Sequence, residues 1–328
     1  MTRVAVIDLG TVTCRLAIAE LAAGERAVIK EKHSQIVNVG VGVDETRMLD
    51  AEAMARTIEC VSGYVERIAQ ADVDAVCCTL TSAARDAHNS DELLGAFERL
   101  GLAPQVIPGK IEGSLTFLGV AQDFAGERIL VADNGGGSTE LACGQLAPEG
   151  LELEWVTSVD VGCRRLTDRF LSADDPPALE AIAAAHECAH GLFSEALACC
   201  ADDASLPETL VVTGGTSTTL VAIDKGLDPY DPSRVHLARL RGDTIERIEG
   251  ELAALTLEER GRLAGIQVKR AGVMLGGIAA VLELMRAADV REIVVSESDL
   301  LVGLSIVCGA TLGQGDNPLP WTPKLSRI

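Results

Sequence analysis

The chain has 328 residues, with 49 acidic side chains against 28 basic ones and a formal net charge of -21. That balance excludes broad nonspecific binding to DNA or to an anionic membrane, although it is compatible with a local basic cleft. With 48 % hydrophobic, 23 % charged and only 3 % aromatic residues, it has an ordinary globular composition, with a core of Ala, Val, Leu and Ile and length for about two domains. No apolar run nears the ~20 residues that span a bilayer. The opening MTRVAVIDLG lacks a signal-peptide shape because Asp8 interrupts it, so a cytoplasmic location is expected. Ten scattered cysteines without a CxxC pair fit reduced thiols.

Residues 4–19, VAVIDLGTVTCRLAIA, have the pattern of a β-hairpin whose first strand ends in Asp8-x-Gly10. A strand near 27–39, a helix near 51–70 and an apolar strand at 73–79 are expected next. In TSAARDAHN at 81–89, Thr81 and Ser82 have helix-start chemistry. Arg85 falls on the first turns, where a guanidinium can clamp a phosphate; pairing with Asp86 or Asp91 is the plainer alternative. A helix near 91–100, a short strand at 104–107 and a helix near 111–122 complete the first half.

Residues 129–144, ILVADNGGGSTELACG, repeat the opening hairpin, with Asp133 over Asp8 and Gly135 over Gly10. Two such hairpins half a chain apart imply a duplicated fold, with domains at 1–125 and 126–328 around a central cleft and a C-terminal helix free to pack back on the first domain. Gly135, Gly136 and Gly137 let backbone N–H groups approach a ligand that any Cβ would push away, and concave N–H arrays bind phosphate. Ser138 and Thr139 add hydroxyls, while Asp133 and Glu140 suit a hard cation. A tight bulged hairpin is the bland alternative.

A strand near 151–159 follows. Arg164, Arg165 and Arg169 then form a basic cluster that suits a polyanion path and salt bridges to Asp160, Asp168 or Asp174 equally well. The Ala-rich helix at 177–199 carries His186-Glu-Cys-Ala-His190, which matches the HExxH zinc motif. Phe193 and Ala196 break the extended metalloprotease pattern, so a chance match on a surface helix is the better reading. After a strand at 209–213, Gly214, Gly215 and Thr216 open a helix, a ready anion site without the Lys of a P-loop. The segment 225–241 has the composition of an irregular loop. A helix at 269–287 and a strand at 291–295 follow. Strands alternating with helices place the chain in the α/β class with mixed sheets.

DNGGGSTE, the Gly-Gly-Thr loop, TSAARDAHN and GKIEG at 109–113 together resemble the exopolyphosphatase/guanosine pentaphosphate phosphatase (Ppx/GppA) family. The similarity continues through VDVGCRRLTDRF at 159–170 and KRAGVMLGGIAAVLELM at 269–285. The resemblance implies a duplicated actin-like ATPase (ribonuclease H-like) fold. It makes Glu112 the general base that activates water, a role its surroundings in sequence do not announce. It assigns a divalent cation, Mg2+ or another, to Asp133, Glu140 and Asp8. Phosphate contacts fall to Thr11, Thr13, Arg15, Ser82, Arg85, the loop Gly135 to Thr139, and Gly214 to Thr216. Linear polyphosphate is the implied substrate and guanosine pentaphosphate (pppGpp) the rival, while homodimerisation is an expectation of the resemblance alone.

The chain departs from the family pattern at several places. Val12 stands in the first loop where Asn is usual, Asn38 and Leu301 replace arginines, and Ile111 replaces an acid before Glu112. Fewer bases favour short chains or strong metal dependence. A non-catalytic polyphosphate or (p)ppGpp sensor is the alternative from another class, and an ATP-using kinase of the same fold is a distant third.

Overall fold

The apolar runs at the start of the chain lie side by side as antiparallel strands β1 (Thr2–Leu9) and β2 (Thr13–Leu21), in a register that sets Asp8 opposite Arg15. The computed structural model describes residues 1–22, 26–201 and 205–328. It divides into one unit of Met1–Ala125, Leu146–Glu152 and Asp299–Ile328, and a second of Gly126–Gln145 and Leu153–Ser298. In the first unit β3 (Val28–Ile36) pairs with β2, and β4 (Ala75–Leu80) runs parallel to β1 with Thr79 beside Asp8. The short β5 (Pro104–Val106) lies against β4. β1 and β4 are covered on both faces, which is why their sequences are unbroken apolar runs.

The second unit repeats the arrangement. β6 (Arg128–Asn134) and β7 (Thr139–Ala147) form the hairpin, and β8 (Gly150–Val159) extends it. β9 (Leu210–Thr213) runs parallel to β6 with Thr213 beside Asp133, as Thr79 lies beside Asp8. Even the hairpin turns agree: the Gly10 N–H donates to the Thr13 carbonyl at 2.9 Å, and Gly135 donates to Ser138 at 3.0 Å. The sheet continues through β11 (Glu292–Val295), with β10 (Ala238–Arg241) at its edge. β12 (Leu325–Ser326) closes the first sheet by pairing with β4.

Helices cover these sheets. Ala51–Gln70 is capped by Asp50, whose carboxylate accepts the Ala53 N–H, and its stripe Ala53, Thr57, Cys60, Val61, Tyr64 and Ile68 is buried at helical spacing. Gly109–Ala121 packs against Leu300–Thr311 through facing glycines. A Cβ on Gly119 would fall 2.2 Å from the Asp299 carbonyl oxygen, and one on Gly303 only 1.9 Å from that of Leu115. In the second unit Leu179–Ala201 turns Ile182, Ala185, Ala189, Phe193 and Leu197 inward, and packs against Met274–Ala287.

The segment 225–241 departs from the expected loop. It holds a one-turn helix, Pro232–Val235, capped by Asp231, and then β10. A four-residue edge strand that buries only Leu240 leaves no periodicity to detect. All ten cysteines are free. Among the described residues, no helix is long and apolar enough to cross a membrane.

Candidate functional site

In the first unit a charged cluster forms where β1 and β2 meet their turn. Arg15 donates through Nε and Nη2 to Asp8 Oδ2, at 3.0 and 2.6 Å, and through Nη1 to Asp299 Oδ2 at 2.9 Å. Lys32 on β3 reaches the same Asp299 oxygen at 3.0 Å. Burial pushes the Asp8 carboxyl up despite Arg15. Asp299 is as deeply buried, yet Lys32 and Arg15 together hold it below its ordinary value. Asp8 Oδ1 is buried without a hydrogen-bond partner, as is Thr11 Oγ1 in the adjoining loop. An orphaned carboxylate oxygen fits a hard cation, whose ligands are oxygens.

Thr13 starts β2, half-buried, and Val12 is buried between them. Asn38 sits at φ 51°, a left-handed conformation that asparagine tolerates better than arginine. Ser82 begins the one-turn helix Ser82–Asp86, whose Arg85 reaches Glu112. Its Nη1 lies 2.6 Å from Glu112 Oε2 and 3.0 Å from the Ile107 carbonyl. Glu112 is 8 % exposed in the first turn of Gly109–Ala121. Asp8 is thus paired with Arg15, and Glu112 with Arg85.

In the second unit Asp133 and Glu140 are cross-strand partners, at the hairpin position held by Asp8 and Arg15 in the first. Two acids facing each other repel where an acid and a base attract, and a bound cation would offset that. Glu140 Oε1 accepts the Ser138 and Ser158 hydroxyls at 2.7 and 2.8 Å. The Thr139 hydroxyl donates to the Val161 carbonyl at 2.6 Å and accepts from Asn134. Both loop hydroxyls are therefore committed inside the protein, and what the loop presents is backbone. Among the described residues, no group of three or more His, Cys, Asp or Glu side chains is assembled as a metal site.

Gly214 adopts φ 108°, and a Cβ there would lie 2.5 Å from the Asn134 carbonyl. Gly215 opens the ten-residue helix Gly215–Asp224 with the Arg270 guanidinium laid on it, so close that a Cβ would fall 1.8 Å from Nη1. Thr216 is buried behind it. Three charged residues here escaped the sequence reading: Lys32, Asp299 and Arg270. No spacing rule links them to the glycine loops; only the segment containing Arg270 belonged to a matched stretch.

The HExxH residues form a structural clasp. His186 sets Nδ1 2.6 Å from Glu283 Oε1 and Nε2 2.8 Å from Glu249 Oε1, while His190 Nδ1 lies 3.1 Å from Glu283 Oε2. Arg286 also donates to Glu283 and pairs with Glu246. With carboxylates at both ring nitrogens, His186 is held as the imidazolium. Burial favours its neutral form, but Glu249 and Glu283 outweigh burial and raise its pKa. The clasp is complete below the ordinary value of about 6.5 and is lost as pH rises through the raised one. Thermal midpoints should therefore fall from about pH 6 to 9, more steeply than in His186→Gln; equal slopes in the two proteins would refute this. Of the basic cluster, Arg164 pairs with Asp168 at 3.1 Å and Arg165 with Asp160 at 3.6 Å.

The profile of the Ppx/GppA phosphatase family matches residues 17–304 of this chain. Exopolyphosphatase 2 of Mycobacterium tuberculosis is 36 % identical over 322 residues, covering 93 % of this chain and 98 % of that protein. The crystal structure of the Aquifex aeolicus Ppx/GppA family member superposes with a TM-score of 0.77 at 30 % identity, over 96 % of this chain and 99 % of that one. An exopolyphosphatase structure from Cytophaga hutchinsonii gives 0.82 at 25 % identity, over 97 % and 100 %. The two mixed sheets and their hairpins are thus those of an actin-like ATPase-type fold.

Proposed function

The chain belongs to the Ppx/GppA phosphatase family, and from that premise we propose that it is an exopolyphosphatase that removes orthophosphate from the end of linear polyphosphate. As a member of that family it hydrolyses phosphoanhydride bonds. The observation that carries the proposed mechanism is the buried Glu112 carboxylate with Arg85 against one of its oxygens at 2.6 Å. A guanidinium that fixes a carboxylate in a partly desolvated helix turn orients it for proton transfer.

In this reading a water oxygen forms a bond to the terminal phosphorus as the bridging P–O bond breaks. Glu112 takes the proton of the attacking water, and the shortened chain leaves with the bridging oxygen. Backbone N–H groups of the Gly135–Gly137 loop and of the helix start at Gly214–Thr216 hold phosphoryl oxygens. In the first unit Asp8, through its orphaned oxygen, and separately in the second unit Asp133 with Glu140 offer the carboxylates that would suit Mg2+ or a similar cation, which supplies neutralisation of phosphate charge. Arg15, tied to two carboxylates, orients Asp8. Leu301 is buried in the core of its helix, so the base expected there has no counterpart, in keeping with a preference for short chains.

Phosphate release from short polyphosphate, long polyphosphate and pppGpp, assayed side by side with Mg2+, tests the proposal. Short polyphosphate should be fastest. Excess EDTA should reduce release at least a hundredfold, and added Mg2+ should restore it. Release that survives chelation would refute the cation's part. Binding of all three without turnover would leave a sensor, and faster turnover of pppGpp than of either polymer would make the protein a nucleotide phosphohydrolase.

A further inference from the structure

The three glycines of the Asp133–Glu140 hairpin turn are gripped from one side by the segment that begins at Gly162. The Gly135 carbonyl accepts the Cys163 N–H at 3.0 Å, and the Gly136 carbonyl accepts those of Arg164 and Arg165 at 2.8 and 3.1 Å. The Gly137 carbonyl accepts Nε of Arg165 at 2.6 Å. Gly162 permits this approach, since a Cβ there would lie 2.4 Å from the Gly136 oxygen and 2.6 Å from the Gly137 nitrogen. In a planar trans peptide the carbonyl of one residue and the N–H of the next point in opposite directions. Three successive carbonyls anchored to one segment therefore turn the N–H groups of Gly136, Gly137 and Ser138 away from it as a set.

Arg165 supplies a side chain to that anchor. Its side chain is 6 % exposed, whereas Asp160, 3.6 Å from Nη2, is 76 % exposed. An ion pair with so exposed a partner contributes little, and the contact to the loop carbonyl is closer, at 2.6 Å. We propose that Arg165 is a positioning residue that sets the direction of the Gly137–Ser138 peptide, and with it the anion affinity of the glycine loop. This rests on the reading of that loop as a phosphate cradle. The salt-bridge reading of the basic cluster covers the Asp160 contact of this residue but not its grip on the loop.

The test compares Arg165→Met, which keeps the aliphatic stem but has no donor, with Arg165→Lys, which keeps one donor, and Asp160→Asn, which removes only the exposed partner. KM and kcat for phosphate release from tripolyphosphate with Mg2+, calorimetric Kd for tripolyphosphate, and the thermal midpoint are measured for each. In Arg165→Met, KM and Kd should rise about tenfold, the effect of one hydrogen bond to a charged ligand. The fall in kcat should be smaller, Arg165→Lys should recover most of the affinity, and Asp160→Asn should match the wild type. A lowered midpoint with unchanged KM and Kd would make Arg165 merely structural and overturn the proposal, as would an Arg165→Lys variant no better than Arg165→Met. Should the wild type bind tripolyphosphate without hydrolysing it, the Kd comparison still decides on Arg165 while the enzyme reading fails. Should the wild type not bind it at all, the cradle and its positioning residue fall together.

Discussion

Replacing Glu112 by glutamine is expected to lower kcat for phosphate release by about 10²- to 10⁴-fold, the range typical of a positioned general base. The amide is nearly isosteric and its oxygen still accepts from Arg85 Nη1, as Glu112 Oε2 does at 2.6 Å. What it loses is the ability to take a proton from water. Kd for tripolyphosphate should therefore stay within about threefold of the wild type, because the loops that hold phosphate are untouched. Steady-state kinetics with calorimetry on the same preparation separates the two quantities. A variant that retains more than a tenth of the wild-type kcat would move the base to another residue, and one that loses binding in proportion would make Glu112 a ligand contact.

Gly303→Ala should be the most damaging single methyl group in the first unit. The new Cβ would lie 1.9 Å from the Leu115 carbonyl oxygen, and its neighbours there are backbone atoms that no rotamer change can move aside. The helices Gly109–Ala121 and Leu300–Thr311 would have to separate. Overpacking of this kind costs about 3 kcal/mol or more, which lowers the thermal midpoint by about 6–12 °C. Gly63→Ala in the helix Ala51–Gln70 is the control. Nothing lies within 4 Å of its Cβ, so it should be neutral or stabilising by up to about 1 kcal/mol. Activity should suffer in Gly303→Ala below its melting transition as well, since one of the displaced helices carries Glu112 and Asp299 caps the other. Similar midpoints for Gly303→Ala and Gly63→Ala would mean that the crossing is looser than its geometry.

The hairpins were readable because their information is local. An apolar run, an acid, a glycine turn and a second apolar run occupy sixteen residues, and the same pattern recurs half a chain later. The glycine loops were readable for a related reason, as runs of residues without side chains have few other uses. Glu112 was not readable from its surroundings, because an acid in the first turn of a helix is commonplace there. The partnership of Lys32, Arg15 and Asp299 joins residues far apart in the chain, and no local pattern records such a meeting. The helix Leu300–Thr311 is apolar nearly all round and buried on most of its surface, so it lacks the stripe that marks an amphipathic helix. Arg165 shows a subtler limit. Its charge suggested a surface ion pair or a ligand contact, and besides pairing with Asp160 it donates to a loop carbonyl from behind.

The first unit also imposes an order on synthesis. Its sheet and its glycine-lined helix crossing are finished only by residues from Asp299 onward, with β12 covering part of the β4 edge and Leu300–Thr311 covering Gly109–Ala121. About 180 residues separate the two helices of that crossing. At a ribosomal pace of about 5–20 residues per second, the apolar face of the earlier helix waits on the order of ten to forty seconds for its partner. During that interval the second unit can be completed, because all of its strands precede residue 299. The half that emerges first is therefore the half that matures last, and a nascent chain exposes the apolar face of Gly109–Ala121 while the ribosome is still making the cover for it.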